Sequence, residues 1–122
     1  MINVVISIGA NCGNRREAVG EAIRNLREIL QEFRCSEIYE TPCAGREGRP
    51  YVNAVVSGMF NAGKEQLEKI LKAYETDYGR DAACRERGDV PIDIDIVMVN
   101  GEILKAWDFR QKFFQIGFRQ LN

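Results

Sequence analysis

Apolar and polar positions along the chain alternate between the period of a strand and that of a helix. Val4–Ile8 is a continuous, β-branched apolar run ending at Gly9, as in a buried strand. Asn14 and Glu17 have the spacing of a capping box and predict the start of a helix. The following helix carries apolar residues at the 3.6-residue period of one buried face, namely Val19, Ala22, Ile23, Leu26, Ile29, Leu30 and Phe33.

The next segments predict two strands and a second helix. Ser36–Thr41 and Tyr51–Phe60 are β-prone, and a loop rich in Gly and Arg, residues 43–50, separates them. Gly79 predicts the C-terminal stop of the helix after them. The apolar positions of that helix are Leu67, Ile70, Leu71 and Tyr74.

The last third of the chain contains the most regular strand. Residues 80–91 are polar and predict a surface loop of a length that often indicates function. Ile92–Val99 predicts a strand, and Asn100-Gly101 predicts a type I′ hairpin turn. Residues 102–122 allow two interpretations, a pairing strand or a short helix followed by a strand.

The order strand, helix, strand, strand, helix, strand predicts an α+β fold. We expect a ferredoxin-like α/β sandwich, in which two helices pack on one face of an antiparallel βαββαβ sheet. The 122 residues suffice for one domain, residues 1–122.

Composition narrows the class of protein. The formal net charge of −1 argues against a nucleic-acid binder that depends on bulk positive charge. The first apolar run, of about seven residues, is too short for a signal sequence or a membrane span. Four scattered cysteines and no histidine argue against a zinc site and favour free thiols in a reducing cytoplasm.

Asp93 and Asp95 are the sharpest chemical feature. Residues two apart on a strand share a face, so both carboxylates are expected to point away from Ile94, roughly 7 Å apart. They repel unless a cation lies between them, and Mg²⁺ prefers carboxylate and phosphate oxygens. Two such ions could hold the phosphates of ATP. The spacing alone leaves a second interpretation open, a solvated strand edge with outward aspartates.

Two loops allow both a functional and an ordinary interpretation. The turn Gly9–Asn14 could present backbone N–H groups to phosphate, although Gly and Asn are ordinary residues of strand-to-helix turns. Arg80, Arg85 and Arg87 could close on a triphosphate, or they could lie in a solvated loop beside acidic neighbours.

Tyr51 and Asn53 suit a flat heterocycle. The tyrosine ring would stack on the heterocycle and the asparagine amide would bind its edge. A core tyrosine beside a turn-capping asparagine would have the same sequence.

Together these segments resemble one family, the 6-hydroxymethyl-7,8-dihydropterin pyrophosphokinases (HPPK) of folate biosynthesis. In chain order the matching segments are IGANCGN, YETPCAG, PYVNAVV, YETDYGR and PIDIDIV. Their order and spacing are more specific than any single motif. The resemblance implies a ferredoxin-like sandwich that transfers the pyrophosphoryl group of ATP to the pterin hydroxymethyl oxygen with two Mg²⁺ ions.

The resemblance also implies roles for individual residues. Asp93 and Asp95 match the metal-bridging, catalytic carboxylates, and Glu75 and Arg80 match nucleotide contacts. Arg80 and Arg87 are expected to assist the transfer. The pterin pocket is expected at Thr41, Pro42, Ala44, Tyr51 and Asn53.

The chain departs from the family pattern just before the aspartates. Val90 stands where a triphosphate-binding arginine is expected, and Arg85 or Arg87 could compensate from nearby. The family's Pro-His pair is also missing, because the chain has no histidine.

The chain also ends sooner after the aspartates than the family does. Arg110 and Lys112 are expected to supply the lost positive charge, and Phe114 or Phe118 the second stacking ring. The same short C-terminus is expected to leave apolar surface around the phenylalanines, which a homodimer would cover.

Three hypotheses remain open. In the first, the chain is an active pyrophosphokinase that converts ATP and the pterin to AMP and the pterin diphosphate. In the second, motivated by Val90 and the absent histidine, it is a weakened or inactive pterin- or nucleotide-binding module. In the third it is a ferredoxin-like interaction or RNA-binding domain, which the missing aromatic strand and basic face disfavour. We expect small-molecule partners and neither nucleic acid nor membrane.

Overall fold

The computed structural model describes residues 1–43, 48–79 and 82–121, and the side chains of residues 82, 83 and 85 lie outside that description. The strands are β1 (Ile2–Ala10), β2 (Gln31–Cys35), β3 (Tyr39–Thr41), β4 (Tyr51–Phe60), β5 (Asp93–Val99) and β6 (Glu102–Ile103). The helices are α1 (Arg15–Ile29), α2 (Lys64–Asp77), α3 (Ala82–Arg87), α4 (Ala106–Arg110) and α5 (Lys112–Phe118), and a 3₁₀ turn (Arg119–Leu121) follows them. No helix in the described ranges is long and apolar enough to cross a membrane.

The strands form one antiparallel sheet in the order β2-β4-β1-β5-β6, with β3 also paired to β4. The strand β1 pairs with β4 on one side and with β5 on the other. Helix α1 connects β1 to β2, and α2 lies between β4 and β5 in the chain. This is the ferredoxin-like strand order with two additional short strands, β3 and β6, so the predicted α+β class is confirmed.

The main core lies between the sheet and the first two helices. Ile6 and Ile8 of β1 and Ile94 and Ile96 of β5 point into it and are buried, because alternate residues of a strand share a face. Helix α1 contributes most of its predicted stripe, and its buried residues are Ala18, Val19, Ala22, Ile23 and Leu26. The two predicted helices therefore pack on one face, as expected.

The residues predicted to cap or end helices and to form the hairpin turn do so in the structure. The Asn14 side chain caps α1 by accepting the N–H of Glu17 at 3.4 Å. Gly79, with φ +106°, follows the end of α2, where a left-handed residue ends helices readily. Asn100 and Gly101 have φ +51° and +81°, which is the type I′ geometry of a two-residue hairpin.

The opposite face of the sheet carries α4 and α5, which the sequence did not predict as a layer. Phe109, Phe114 and Phe118 pack on each other there, and Phe114 is fully buried against Val55 and Val97. Both interpretations of residues 102–122 are therefore incomplete. A two-residue strand pairs with β5, and helices follow because the aromatic residues bury more apolar surface by packing on the sheet. This packing covers the phenylalanines that motivated a homodimer, which stays a prediction.

Two predicted boundaries differ from the structure. The second strand begins at Gln31 rather than Ser36, because α1 ends at Ile29 and Glu32 adopts φ +52° in a bulge that shifts the register of β2. A short helix, α3, occupies part of the segment predicted as a loop. Neither change alters the order of the main strands.

Tyr39 ties α5 to the sheet. Its hydroxyl donates to the Phe113 carbonyl and accepts the N–H of Gly117 at 3.1 Å. A Cβ on Gly117 would lie 2.6 Å from Cγ2 of Val55, so only glycine allows this close approach. Burial raises the pKa of Tyr39 to about 12, which keeps the hydroxyl protonated as a donor.

We expect Tyr39→Phe to lower the free energy of unfolding by about 1–3 kcal/mol, because a buried carbonyl and a buried N–H each lose a partner. Urea denaturation followed by circular dichroism measures this change. Tyr78→Phe directly after α2, where the ring stacks on Tyr74, is the matched control and should change stability by less than about 0.5 kcal/mol. Equal effects of the two substitutions would contradict the role given to Tyr39.

Candidate active site

A cavity of about 270 Å³ opens on the α4 and α5 side of the sheet. Its floor is formed by side chains of β4, β1 and β5, and α4 and α5 supply one wall. The lining residues are Ser7, Gly9, Thr41, Pro42, Cys43, Tyr51, Asn53, Asp93, Asp95, Trp107, Asp108 and Phe113.

Asp93 and Asp95 both face this cavity. They lie opposite Gly9 and Ser7 of β1 in the sheet register. Ile94 between them is buried in the main core, so the strand period directs both carboxylates to the other face. The sheet register therefore places the aspartates at one end of the cavity.

The electrostatics of Asp95 show that the carboxylates are crowded. Burial, followed by the charge and hydrogen bond of Asp93, raises the pKa of Asp95 to about 6, whereas Lys105 opposes the shift. The Lys105 Nζ lies 3.0 Å from Asp95 Oδ1. Asp108, on α4, also has a raised pKa, caused by burial and then by Asp95. The site thus concentrates negative charge that a cation would stabilise.

Glu75 supports the aspartate strand from α2. Its Oε2 accepts the backbone N–H of Ile94 at 2.7 Å. The N–H of Ile94, between the two aspartates, would otherwise be exposed at the edge of the sheet. The bond to Glu75 gives it a partner. Glu75 was predicted to contact nucleotide, and the structure records it as a support of β5.

The other end of the cavity is suited to a flat ring. Asn53 is 2% exposed, and its Nδ2 donates to Thr41 Oγ1 at 2.7 Å. A Cβ on Gly9 would lie 3.4 Å from both Asn53 Oδ1 and the Tyr51 ring, so glycine keeps the floor open. Trp107 lines the same cavity, so this end, the ring slot, carries aromatic side chains beside a buried amide.

The turn after β1 holds the segment that precedes the aspartates. Asn11 is buried, its N–H donates to the Val90 carbonyl at 2.9 Å, and its Oδ1 accepts the Val90 N–H at 2.6 Å. Its Nδ2 donates to the Gly88 carbonyl at 3.0 Å. The turn was considered as a source of N–H groups for phosphate, but the N–H of Asn11 is already used within the protein.

The predicted arginines fall in three groups. Arg87 is exposed and forms an ion pair with Asp89 at 2.9 Å, and Arg49 contacts the same carboxylate. The side chain of Arg85 is not described. Arg80, like Ala44 of the expected pterin pocket, lies outside the described residues.

Three residues were expected to supply the positive charge and the second stacking ring that the family has and this chain lacks. All three lie away from the cavity. Phe114 is fully buried in the aromatic cluster, and it is the preceding residue, Phe113, that lines the cavity. Arg110 and Lys112 are exposed and are not among the lining residues. One residue along a helix rotates the side chain by about 100°, which separates Phe114 from the wall that Phe113 occupies.

The residues that the sequence did not single out at this site include Ser7 of β1 and, from the C-terminal segment, four more: Lys105, Trp107, Asp108 and Phe113. All four come from the segment whose fold the sequence left undecided. The spacing of Phe114 and Phe118, four residues apart, was the available signal for a helix there. No local signal connects these residues to the aspartates, because that connection is made by tertiary packing.

The donor set at the aspartates fits a magnesium ion that is bound together with a nucleotide. Within the described residues, no three His, Cys, Asp or Glu side chains form a group that could hold a metal. Mg²⁺ commonly takes one or two protein carboxylates and completes its shell with water and substrate phosphates. Asp93 and Asp95 are the residues that would supply those carboxylates.

Comparison with known proteins agrees with this geometry. The family model of 7,8-dihydro-6-hydroxymethylpterin-pyrophosphokinase (HPPK) matches residues 5–120. The chain belongs to the HPPK family. The HPPK match covers every element of the sheet and both walls of the cavity, so the family resemblance noted in five short segments extends over nearly the whole chain.

Curated relatives carry names from the same pathway. The folate synthesis bifunctional protein of Chlamydia trachomatis is 33% identical over 81% of this chain and 23% of its own length. The mitochondrial folate synthesis bifunctional protein of Arabidopsis thaliana is 38% identical over 77% of this chain and 17% of its own length. The 2-amino-4-hydroxy-6-hydroxymethyldihydropteridine pyrophosphokinase of Aquifex aeolicus is 29% identical over 87% of this chain. This HPPK chain thus spans about a fifth of the bifunctional relatives and 66% of the Aquifex protein.

In metal-free buffer we expect Asp95→Asn to stabilise the protein at high pH. The folded pKa of Asp95, about 6, lies above its ordinary value of 3.8. Protonation of Asp95 therefore favours folding, and this contribution is complete below pH 3.8 and is lost as the pH rises through about 6. Asparagine stays neutral, so the variant should gain about 1–2 kcal/mol at pH 8 and little at pH 4.

Urea denaturation with EDTA at pH 4, 6 and 8 measures this difference. Glu102→Gln, at an exposed carboxylate of β6, serves as the control and should show no such dependence on pH. A stability difference for Asp95→Asn that is the same at all three pH values would contradict the assignment.

Proposed function

We propose that this chain catalyses an ATP-dependent pyrophosphoryl transfer to 6-hydroxymethyl-7,8-dihydropterin, which gives AMP and the pterin diphosphate in folate biosynthesis. The observation that carries the proposal is the continuity of the cavity. A slot for a flat ring and a pair of crowded carboxylates share one space, as a reaction between a pterin and a metal-bound nucleotide requires.

The ring end supports a pterin as acceptor. Asn53 is fixed by Thr41 and keeps its Oδ1 toward Gly9, where it could accept from the edge of a heterocycle. Tyr51 and Trp107 offer ring faces, and aromatic stacking favours flat ligands. Pro42 adds an apolar contact at the rim. Ala44 remains a predicted contact.

The carboxylate end supports nucleotide phosphates. Asp93 and Asp95 would hold two Mg²⁺ ions, which neutralise phosphate charge when bound. The residues of the chain then act mainly by position: the slot holds the pterin hydroxymethyl group toward the aspartates, and the strand register fixes the aspartates relative to the slot. Arg80, Arg85 and Arg87 remain predicted contacts of the nucleotide.

A second candidate is a module that binds the ligands with little or no turnover. The pairing of Arg87 with Asp89 favours it, because an arginine held by a carboxylate is less available to the phosphates. Val90, at the expected position of a family arginine, points the same way. Loss of such a charge typically costs about 10²–10³ in rate.

We also propose that the protein acts in the cytoplasm on small molecules. The four cysteines are free thiols, which suits a reducing compartment. A homodimer stays a prediction, and size-exclusion chromatography with light scattering would decide it.

We expect Asp93→Asn to lower the kcat for AMP formation by about 10²-fold or more, with little change in pterin binding. Trp107 is the only tryptophan of the sequence and lines the ring slot, so its fluorescence should report pterin binding directly. Asn53→Ala should show the opposite pattern, with weakened pterin binding. Asp77→Asn, an exposed carboxylate of α2, is the matched control and should behave as the wild type.

The active enzyme and the binding module differ in whether AMP is formed. Quenching of Trp107 by the pterin, with no AMP formed at high protein concentration, would favour the binding module. If neither quenching nor AMP formation occurred with the wild type, both candidates would be abandoned.

A further inference from the structure

The sheet places the site residues in a definite lateral order. The ring slot lies over β4 and β1, the aspartates follow on β5, and Lys105 comes directly after the edge strand β6. Lys105 is not one of the cavity-lining residues. It follows β6, which pairs with β5 on the side away from β1 and β4, so its ammonium approaches Asp95 from the edge of the sheet.

The backbone fixes Lys105 at this place. The N–H groups of Leu104 and Lys105 both donate to the Val97 carbonyl, at 2.8 and 3.4 Å, and the Lys105 carbonyl accepts the N–H of Phe109 at 2.9 Å. The stem of the side chain thus starts from a rigid point between the hairpin and α4. Only the flexible side chain and its ammonium group are free to move.

The ion pair between Lys105 and Asp95 is of a kind in which the lysine can readily change its partner. Nζ and Oδ1 are 3.0 Å apart, and the lysine side chain is 46% exposed. Half-exposed ion pairs contribute little to stability, whereas a charge-assisted bond to a phosphate is roughly twice as strong as a neutral hydrogen bond. A phosphate oxygen would therefore compete well for the ammonium.

We propose that Lys105 is a phosphate-binding residue of this chain. In the nucleotide-free protein its ammonium neutralises Asp95, and in the complex it leaves Asp95 for the phosphates of ATP. The inference rests on the proposed function, and it assigns the site a cation at Asp95, in a chain whose Val90 stands where a family arginine is expected. Lys105 was not among the residues that the sequence analysis singled out.

The proposed position matches the charge that the reaction develops. The hydroxymethyl oxygen forms a bond to the β-phosphorus, the bond from that phosphorus to the bridging α-phosphate oxygen breaks, AMP keeps the electron pair, and the hydroxyl proton passes to water. An in-line displacement puts the leaving oxygen opposite the attacking one. Lys105 approaches the aspartates from the β6 edge of the sheet, away from β4 of the ring slot, and a cation there would stabilise the leaving charge.

The test compares Lys105→Met, Lys105→Arg and Lys72→Met. Lys72 is an exposed lysine of α2 outside the cavity, so it controls for loss of a positive charge. Isothermal titration with Mg²⁺ and α,β-methylene-ATP gives nucleotide affinity, electron paramagnetic resonance with Mn²⁺ alone gives metal affinity, and AMP release with the pterin gives kcat. Thermal melting of each variant reports folding.

We expect Lys105→Met to weaken analogue binding by about 10-fold and to lower kcat by about 10²-fold, while Mn²⁺ alone binds at least as tightly as to the wild type because its competitor is gone. Lys105→Arg should restore most of both losses, and Lys72→Met should match the wild type.

Three outcomes would overturn the inference. Wild-type analogue affinity and kcat in Lys105→Met would refute it and leave the proposed function standing. A parallel loss of Mn²⁺ affinity and analogue affinity in Lys105→Met would show that the lysine only holds the aspartates in place. A wild type that neither binds the analogue nor forms AMP would refute the proposed function and this inference together.

Discussion

The two-residue period of β5 is the constraint on which the site depends. Ile94 and Ile96 are required by the main core, so Asp93 and Asp95 must face the other side of the sheet. A slip of one residue would bury both carboxylates among the apolar side chains of α1 and α2, at a cost of several kcal/mol for each charge. Pairing with β1 opposite Gly9 and Ser7 fixes the register. The apolar core thereby determines where the charged groups of the site lie.

The same arrangement brings carboxylates close together, and the protein compensates their mutual repulsion only in part. Asp95 keeps a raised pKa although Lys105 is in contact with it. Such a site is suited to a cation of higher charge than lysine. A protein that concentrates like charges for function usually loses some stability when the site is free. The aromatic layer contributes by burying Phe114 and leaving Phe113 and Trp107 at the cavity. It therefore stabilises the fold and forms a wall of the site at once.

Local signals predicted the parts of the fold that local chemistry determines. The cap at Asn14, the stop at Gly79 and the turn at Asn100-Gly101 each depend on a few neighbouring atoms. The strand period likewise placed both aspartates on one face. The layer of α4 and α5 could not be derived in this way, because its helices exist through packing on Val55 and Val97. The positions of Lys105 and Phe113, and the use of the Asn11 amide within the protein, depend on the same long-range contacts.

Asp93 and Asp95 are proposed to hold metal together with a nucleotide. The most direct test is a titration with Mn²⁺ in the presence of α,β-methylene-ATP, followed by electron paramagnetic resonance, for the wild type and for a variant with both Asp93→Asn and Asp95→Asn. We expect two bound ions per wild-type chain and loss of the protein-bound signal in the double variant. Unchanged metal binding in the double variant would rule out this role of the two aspartates.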